Sequence, residues 1–161
     1  ALSRAESSTR LVYLSPRGKT FNQQLARKWS KSEGIILICG RFEGIDQRVI
    51  DHYGIEEVSL GDFVMTGGEI AAQAMIDTTV RLLPNVIGNR DSLKTESHSN
   101  GLIEHDQFTR PNEWKGQKIP QTLTSGHHGK IESWRENQSK SKTKQYRSDL
   151  WEKANLAKSK T

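Results

Sequence analysis

The chain has 161 residues, with 24 Lys or Arg against 19 Asp or Glu and a formal net charge of +5. This length is typical of about one domain with a modest core and an appendage. The single cysteine, Cys39, excludes an intramolecular disulfide, and in the apolar run IILIC we expect it to be a small buried hydrophobe. The apolar stretches are too short to span a membrane, and the start of the chain lacks the order of a signal peptide. These features favour a protein of the cytoplasm.

Three short apolar segments bounded by Gly, Ser or Pro have the character of buried strands. They are RLVYLS at 10–15, GIILICG at 34–40 and EEVSLG at 56–61. Helical patterns separate them, at 19–32 and 45–53, where apolar residues recur on one face. Alternating strands and helices predict an α/β fold, with a parallel sheet covered by helices.

A third helix is predicted over 69–83, ended by Pro84. The following residues, 85–107, are polar and weakly periodic, which indicates a loop or interdomain linker. A further helix is predicted from about Ser125, and we expect Trp134 on its apolar face to lie in a core.

The positive charge is concentrated at the end of the chain. Residues 137–161 contain seven Lys or Arg and two acids, whereas residues 1–136 balance at seventeen against seventeen. A basic segment of this kind is commonly a solvated tail. Because Tyr146 and Trp151 lie among the lysines, a contact with a polyanion, including its base faces, is the alternative.

A glycine-containing loop follows each predicted strand: YLSPRG, CGRFEG and LGDFVMTGG. In open parallel sheets ligands bind beyond the carboxyl ends of the strands, and glycine there lets backbone amides approach a ligand closely. Any one of these glycines could merely serve a tight turn. Three such loops at one sheet edge favour a ligand site.

The motifs for phosphate and metal binding are absent. There is no G-x-G-x-x-G, and GKT at 18–20 is not a P-loop because Tyr13 stands where the first glycine is needed. The five histidines form no H-E-x-x-H, and the cysteine has no cysteine partner, so no metal site is predicted. What remains is a ligand held by backbone groups and the apolar walls of Leu60, Phe63 and Met65, as an adenosine moiety would be.

Six motifs together resemble one family: YLSPRG, LICGRFEGIDQRVI, SLGDFVMTGGE, VRLLPNVIG, FTRPNEW and SGHHGKIESWR. In this order and spacing they are similar to the bacterial tRNA (guanine-N1-)-methyltransferases, the TrmD family of the SPOUT class, over about 10–150. The resemblance implies a trefoil knot at the cofactor site. It also implies transfer of a methyl group from S-adenosylmethionine to N1 of the guanine just 3′ of the anticodon, which maintains the reading frame.

The resemblance also implies a domain organisation and partners. It predicts a methyltransferase domain at 1–88, a linker at 89–107 and a helical tRNA-binding domain with a basic tail at 108–161. Family members carry further strands before the YLSP strand, so an N-terminally incomplete sheet is expected. The implied partners are tRNA and a second copy of the chain, with no DNA and no membrane. Because the acceptor site of the family spans two subunits, a monomer is expected to be inactive.

The residues that bind the cofactor in the family correspond to positions in all three loops of this chain. S-adenosylmethionine, with S-adenosylhomocysteine as its product, is the implied cofactor, whereas the sequence does not decide whether Mg²⁺ assists. The family has Tyr where this chain has Phe42 and Phe63, and Pro where it has Ala71, which would loosen the pocket slightly. The implied cofactor residues are Tyr13, Leu14, Ser15, Pro16, Gly40, Phe42, Glu43, Gly44, Leu60, Gly61, Asp62, Phe63, Val64, Met65, Gly67 and Gly68.

The catalytic residues of the family fall on Glu96 and Arg81. Guanine N1 must lose a proton before it attacks, which calls for a general base, and a guanidinium can stabilise the charge that builds on O6. The family acid is Asp, so Glu96 is one methylene longer. Each residue also has a simpler reading: Arg81 is near a helix C-terminus, where cations are favourable, and Glu96 is one of several acids in the linker.

Two other functions remain open at this point. Another SPOUT RNA methyltransferase, acting on ribosomal RNA, would share the knot but not the C-terminal TRP and SGHH motifs. A non-catalytic tRNA-binding module is the alternative that is not an enzyme.

Overall fold

The computed structural model describes residues 9–41, 43–88 and 95–158, with the backbone alone at 157 and 158. The chain divides into two compact units, Ala1–Gly88 and Asn89–Thr161.

The first unit is built on a three-stranded parallel sheet of order β2-β1-β3. Its strands are β1 (Arg10–Thr20), β2 (Ile35–Cys39) and β3 (Glu56–Ser59). Both neighbours of β1 run parallel to it, which confirms the predicted α/β class and parallel sheet.

In the described residues of this unit, three helices accompany the sheet: α1 (Gln23–Trp29), α2 (Gln47–Tyr53) and α3 (Glu69–Val80). Asn22 caps α1 by accepting a hydrogen bond from the backbone N of Leu25 at 2.9 Å. The predicted third helix ends earlier than Pro84 because the backbone tightens after Val80, where the N–H of Leu83 bonds to the Val80 carbonyl.

The strand β1 is longer than the predicted 10–15 because it contains a bulge. Leu14 and Lys19 both pair with Val58, so the residues between them leave the ladder and the chain then returns to β3. A Cβ on Gly18 would lie 2.3 Å from the backbone N of Val58. This glycine is therefore required by close packing of two backbones.

Alternate side chains of β1 enter two cores on opposite faces of the sheet. Val12 and Leu14 pack with Trp29 of α1 and Met75 of α3. On the other face, Tyr13 packs with Ile50 of α2 and with Ile55. The central strand β1 is therefore covered on both sides, as predicted, whereas β2, which was also predicted to be a buried strand, is only half-buried and ends in the exposed Cys39.

Within its described residues, the second unit includes a short hairpin and the three helices given below. The hairpin pairs β4 (Glu113–Trp114) with β5 (Gln117–Lys118) in antiparallel fashion. The helices are α4 (Gln121–Thr124), α5 (His128–Tyr146) and α6 (Ser148–Lys158).

The basic C-terminal segment is largely helical, since most of it lies in α5 and α6. Trp134 of α5 is only half-buried, so the expectation of a core residue was wrong. Its ring faces those of His105 and Phe108, with centroids 6.3 and 6.1 Å away. Within the described part of the chain, no helix has the length and apolar character needed to cross a membrane.

Candidate cofactor site

A cavity of about 370 Å³ lies beyond the carboxyl ends of the three parallel strands. It is lined by the bulge of β1, by the end of β3, by the loops that follow β2 and β3, and by the first turns of α2 and α3. This is the edge at which sheets of this type bind ligands, because the strand ends there diverge and leave backbone groups accessible. The volume is within the range of about 300 to 1,000 Å³ that is typical of small-molecule sites.

The cavity brings together nearly all the residues that the family resemblance assigned to the cofactor. The exceptions are Asp62, which is exposed and does not line the cavity, and Phe42, which lies outside the described residues. The residues in the lining are Tyr13, Leu14, Ser15, Pro16, Gly40, Glu43, Gly44, Leu60, Gly61, Phe63, Val64, Met65, Gly67 and Gly68.

The lining also contains residues that the sequence analysis did not assign. Most of them lie beside assigned ones in the same loops or strand ends, so treating each loop as a continuous wall could have found them. Gln47 and Ala71 lie instead in the first turns of α2 and α3. Ala71, where the family has Pro, is also in the wall. The additional lining residues are Arg17, Arg41, Ile45, Gln47, Val58, Ser59, Thr66 and Ala71.

Two glycines of the second loop lie against the Tyr13 side chain. A Cβ on Gly40 would approach the Tyr13 Cε2 and hydroxyl oxygen to 2.8 Å, and one on Gly44 would approach that oxygen to 2.9 Å. Gly44 also has φ +102°, a conformation that side chains rarely adopt. Tyr13 is only 6% exposed. The two glycines thus allow the loop to follow this side chain closely.

The third loop ends in glycine because α3 begins directly against the sheet. Gly68 is the N-cap residue of α3. Its absent Cβ would lie 3.1 Å from the Cα of Cys39 and 3.3 Å from the Cβ of Leu14. A side chain at this position would be tightly packed against both strands, so glycine lets the helix start close to the carboxyl ends of β1 and β2.

An ion pair connects Arg41 of the cavity wall to Glu69 at the start of α3. The Arg41 guanidinium donates from Nε at 3.0 Å and from a terminal nitrogen at 2.8 Å to the same carboxylate oxygen of Glu69. These hydrogen bonds hold the pKa of Glu69 below its ordinary value. The pair joins the loop after β2 to the first turn of α3.

Arg17, in the bulge of β1, makes a second polar contact at the wall. It donates hydrogen bonds to Glu57 at 3.2 Å and to Gln47 at 3.3 Å. Gln47 itself lines the cavity. The wall therefore includes two guanidinium groups, each with an acidic partner, beside its apolar residues.

Cys39 is exposed, so the expectation that it is a buried hydrophobe was wrong. It is the last residue of β2, where the covering of the sheet ends. Partial burial of the sulfur raises the pKa of its thiol, and the negative charge of Glu69 raises it further. The thiol therefore remains protonated at neutral pH and is a weak nucleophile.

The two predicted catalytic residues lie in different units. Arg81 is the C-cap residue of α3, and its backbone N–H bonds to the Asp77 carbonyl at 3.1 Å. Glu96 is half-buried in the second unit. Their catalytic roles remain predictions. In the described ranges, no three His, Cys, Asp or Glu side chains are grouped as metal ligands.

Comparison with known proteins identifies the family. The family model for tRNA (Guanine-1)-methyltransferase TrmD matches residues 1–153. The chain belongs to this family. The parallel sheet with its loop-lined cavity is thus the part of a TrmD-family chain that carries the YLSPRG, CGRFEG and VMTGGE motifs.

Several curated relatives named tRNA (guanine-N(1)-)-methyltransferase are similar to this chain over most of its length. That of Ruegeria sp. (strain TM1040) is 58% identical over 151 residues, which cover 94% of this chain and 62% of the relative. That of Ruegeria pomeroyi is 59% identical over 148 residues, 92% of this chain and 61% of the relative. That of Lactobacillus delbrueckii subsp. bulgaricus is 51% identical over 156 residues, which cover 97% of this chain and 63% of the relative. The chain thus spans about three fifths of the length of these relatives.

Proposed function

We propose that the protein transfers a methyl group from S-adenosylmethionine to N1 of the guanine just 3′ of the anticodon of tRNA, in the cytoplasm. The observation that carries this proposal is the cavity at the carboxyl ends of the strands, which collects the motif residues from three separate segments of the chain. Membership of the TrmD family makes a tRNA guanine the expected acceptor.

The wall of the cavity fits the methyl donor. Gly40 and Gly44 let the backbone of the second loop lie directly against Tyr13 in the cavity wall, where its amides and carbonyls can reach a ligand. Leu60 and Met65 provide apolar surface for an adenine ring, and the Glu43 carboxylate suits the positive charge of the ligand. When bound, the donor supplies an electrophilic methyl carbon on its sulfonium. We also propose that the chain around this cavity forms the trefoil knot of SPOUT enzymes.

The chemistry assigned to the protein consists of moving one proton and stabilising one charge. Glu96 accepts the proton of guanine N1, whose lone pair then forms the bond to the methyl carbon. As negative charge develops on guanine O6, the Arg81 guanidinium donates a hydrogen bond to that oxygen. The carboxylate becomes neutral in the step, and the sulfur retains the electron pair of the broken bond.

Reverse transcription tests this function. A methyl group on N1 prevents base pairing, so we expect extension to stop at the guanine just 3′ of the anticodon after tRNA is treated with the full-length protein and the cofactor. Stops in ribosomal RNA instead of tRNA would identify the other SPOUT activity. Calorimetry with S-adenosylhomocysteine separates both from a tRNA-binding module, which would bind tRNA but give no heat with this ligand.

We propose a homodimer that uses the exposed apolar face of α3 and the turn after it. Ile70, Ile76 and Val80 are 63, 49 and 40% exposed. Leu83 and Val86, in the turn after the helix, are 37 and 50% exposed. Contiguous apolar surface on a soluble protein commonly marks a contact with another chain.

Replacing Ile76 with Asp is expected to convert the dimer into a monomer and to abolish methylation, since a charge in an apolar interface is costly. Sedimentation velocity at several protein concentrations measures the change. Val49→Asp is the matched control because Val49 lies on α2 and is also partly exposed, at 37%. A dimeric Ile76→Asp protein would contradict the proposed interface.

The lysines of α5 provide a test of tRNA binding by the second unit. Lys140 pairs with Glu136 on the same helix, and Lys142 pairs with Asp106 at 2.9 Å. If these lysines and Lys144 also bind phosphates, changing all three to Gln should reduce the slope of log affinity against log salt by about 0.7 to 0.9 for each phosphate that is no longer neutralised. Cofactor affinity should not change. An unchanged slope would mean that these lysines do not contact tRNA.

A further inference from the structure

The predicted base Glu96 opens a loop that is closed by its own hydrogen bonds. The N–H of Ser99 bonds to the Glu96 carbonyl at 3.1 Å, and the N–H of His98 bonds to the Leu102 carbonyl at 2.7 Å. The N–H of Glu104 donates to the Ser97 hydroxyl at 3.0 Å. Residues 96–104, here called the Glu96 loop, therefore have a defined conformation within a segment that the sequence predicted to be a linker.

Two hydroxyl groups of α5 hold the end of the Glu96 loop. The N–H of Ile103 donates to Thr143 Oγ1 at 3.0 Å, and the Ile103 carbonyl accepts from the Ser139 hydroxyl at 2.5 Å. Both backbone polar groups of Ile103 are thus bound by side chains one helical turn apart. The nearby Asp106–Lys142 ion pair, at 2.9 Å, adds a third attachment to the same helix.

The Thr143 hydroxyl makes a hydrogen bond outside its own helix as well as one within it. Serine and threonine hydroxyls inside helices commonly bond to the carbonyl four residues earlier, and Thr143 does so with Ser139 at 2.7 Å. The same oxygen also accepts the N–H of Ile103, and Thr143 is fully buried at 0% exposure. Its hydroxyl is therefore a bridge between the helix and the loop. A linker that only joins two domains has no need of such a bridge.

We propose that Ser139 and Thr143 are positioning residues that set where Glu96 is presented to the acceptor guanine. The proposal rests on the proposed function, since it requires Glu96 to act on a substrate. The two hydroxyls fix Ile103, and the bonds between residues 97 and 104 and between 98 and 102 transmit this fixed position to the start of the loop. A base misplaced by about 1 Å loses a large part of its rate advantage.

The decisive variant is Thr143→Val, which keeps the shape of the side chain and removes the acceptor for Ile103. We expect kcat for tRNA methylation in the full-length protein to fall about tenfold. The affinity for S-adenosylhomocysteine should not change. Thr143→Ser should restore kcat because it retains the hydroxyl. Hydrogen exchange at the Ile103 amide should be faster in the Val variant and near the parent value in the Ser variant.

Ser139→Ala provides a milder second variant if Thr143→Val folds poorly, and it should lower kcat in the same direction. Ser133→Ala is its matched control, since the Ser133 hydroxyl lies on the same helix and bonds to the Gly129 carbonyl at 3.0 Å. A parent value of kcat together with fast exchange at Ile103 would overturn the positioning role. A parent protein that methylates no tRNA would instead contradict the proposed function, and the positioning role with it.

Discussion

Replacing Gly40 with alanine is expected to weaken binding of S-adenosylhomocysteine by roughly thirtyfold, equivalent to about 2 kcal/mol. The new Cβ would lie 2.8 Å from both Cε2 and the hydroxyl oxygen of Tyr13, a distance that packed atoms do not tolerate. The Tyr13 side chain cannot move away easily because it packs with Ile50 and Ile55. The loop must therefore shift, and Gly40 is part of the cavity wall. Isothermal titration calorimetry measures the affinity.

Gly34→Ala is the matched control for this change. Gly34 immediately precedes β2 and Gly40 immediately follows it, so the two substitutions flank opposite ends of one strand. A Cβ on Gly34 would lie 3.6 Å from Thr9 Oγ1, an ordinary contact. We expect the affinity of the Gly34→Ala variant for S-adenosylhomocysteine to remain within about twofold of the parent value, as for most surface changes. Equal affinities for both variants would mean that the loop after β2 is not part of the cofactor site.

The strands and their loops could be predicted because local sequence determines them. Short apolar runs ended by glycine can form buried parallel strands, and the carboxyl ends of such strands necessarily meet at one edge. The glycines at 40, 44 and 68 follow this logic, since each lies where the chain must pass close to Tyr13, Leu14 or Cys39. The assignment of individual cofactor residues came from the resemblance and was not available from the pattern alone.

Other features depend on contacts between distant parts of the chain, and the sequence pattern did not contain them. Residues 16–18 were predicted to lie in a loop after the first strand, whereas β1 continues because Lys19 pairs with Val58 beyond the bulge. The Arg41–Glu69 pair joins residues that are 28 positions apart. The attachment of Ile103 to Thr143 spans 40 positions. Each residue of such a pair, taken alone, is an ordinary polar or surface residue, so the local sequence does not indicate that the two are in contact.

The identity of the general base leads to the largest expected effect. If Glu96 removes the proton from guanine N1, Glu96→Gln in the full-length protein should lower the rate of methyl transfer by about 10² or more while preserving cofactor and tRNA affinity. Glutamine keeps the size of the side chain and loses only the ability to accept the proton. Single-turnover methylation of a tRNA transcript at saturating cofactor measures the rate. Glu96→Asp should have a smaller effect, since the family uses Asp at this position.

Glu104→Gln is the matched control because Glu104 lies in the same loop, is exposed and receives the same chemical change. It should methylate at nearly the parent rate.

Arg81→Ala should also lower the rate of methyl transfer. Because Glu96 and Arg81 would act on one transition state, the rate of the Glu96→Gln, Arg81→Ala double variant should fall by less than the product of the two single reductions. If Glu96→Gln reacts at nearly the parent rate, Glu96 is not the base. Glu43, which lines the cavity, would then be the first carboxylate to replace.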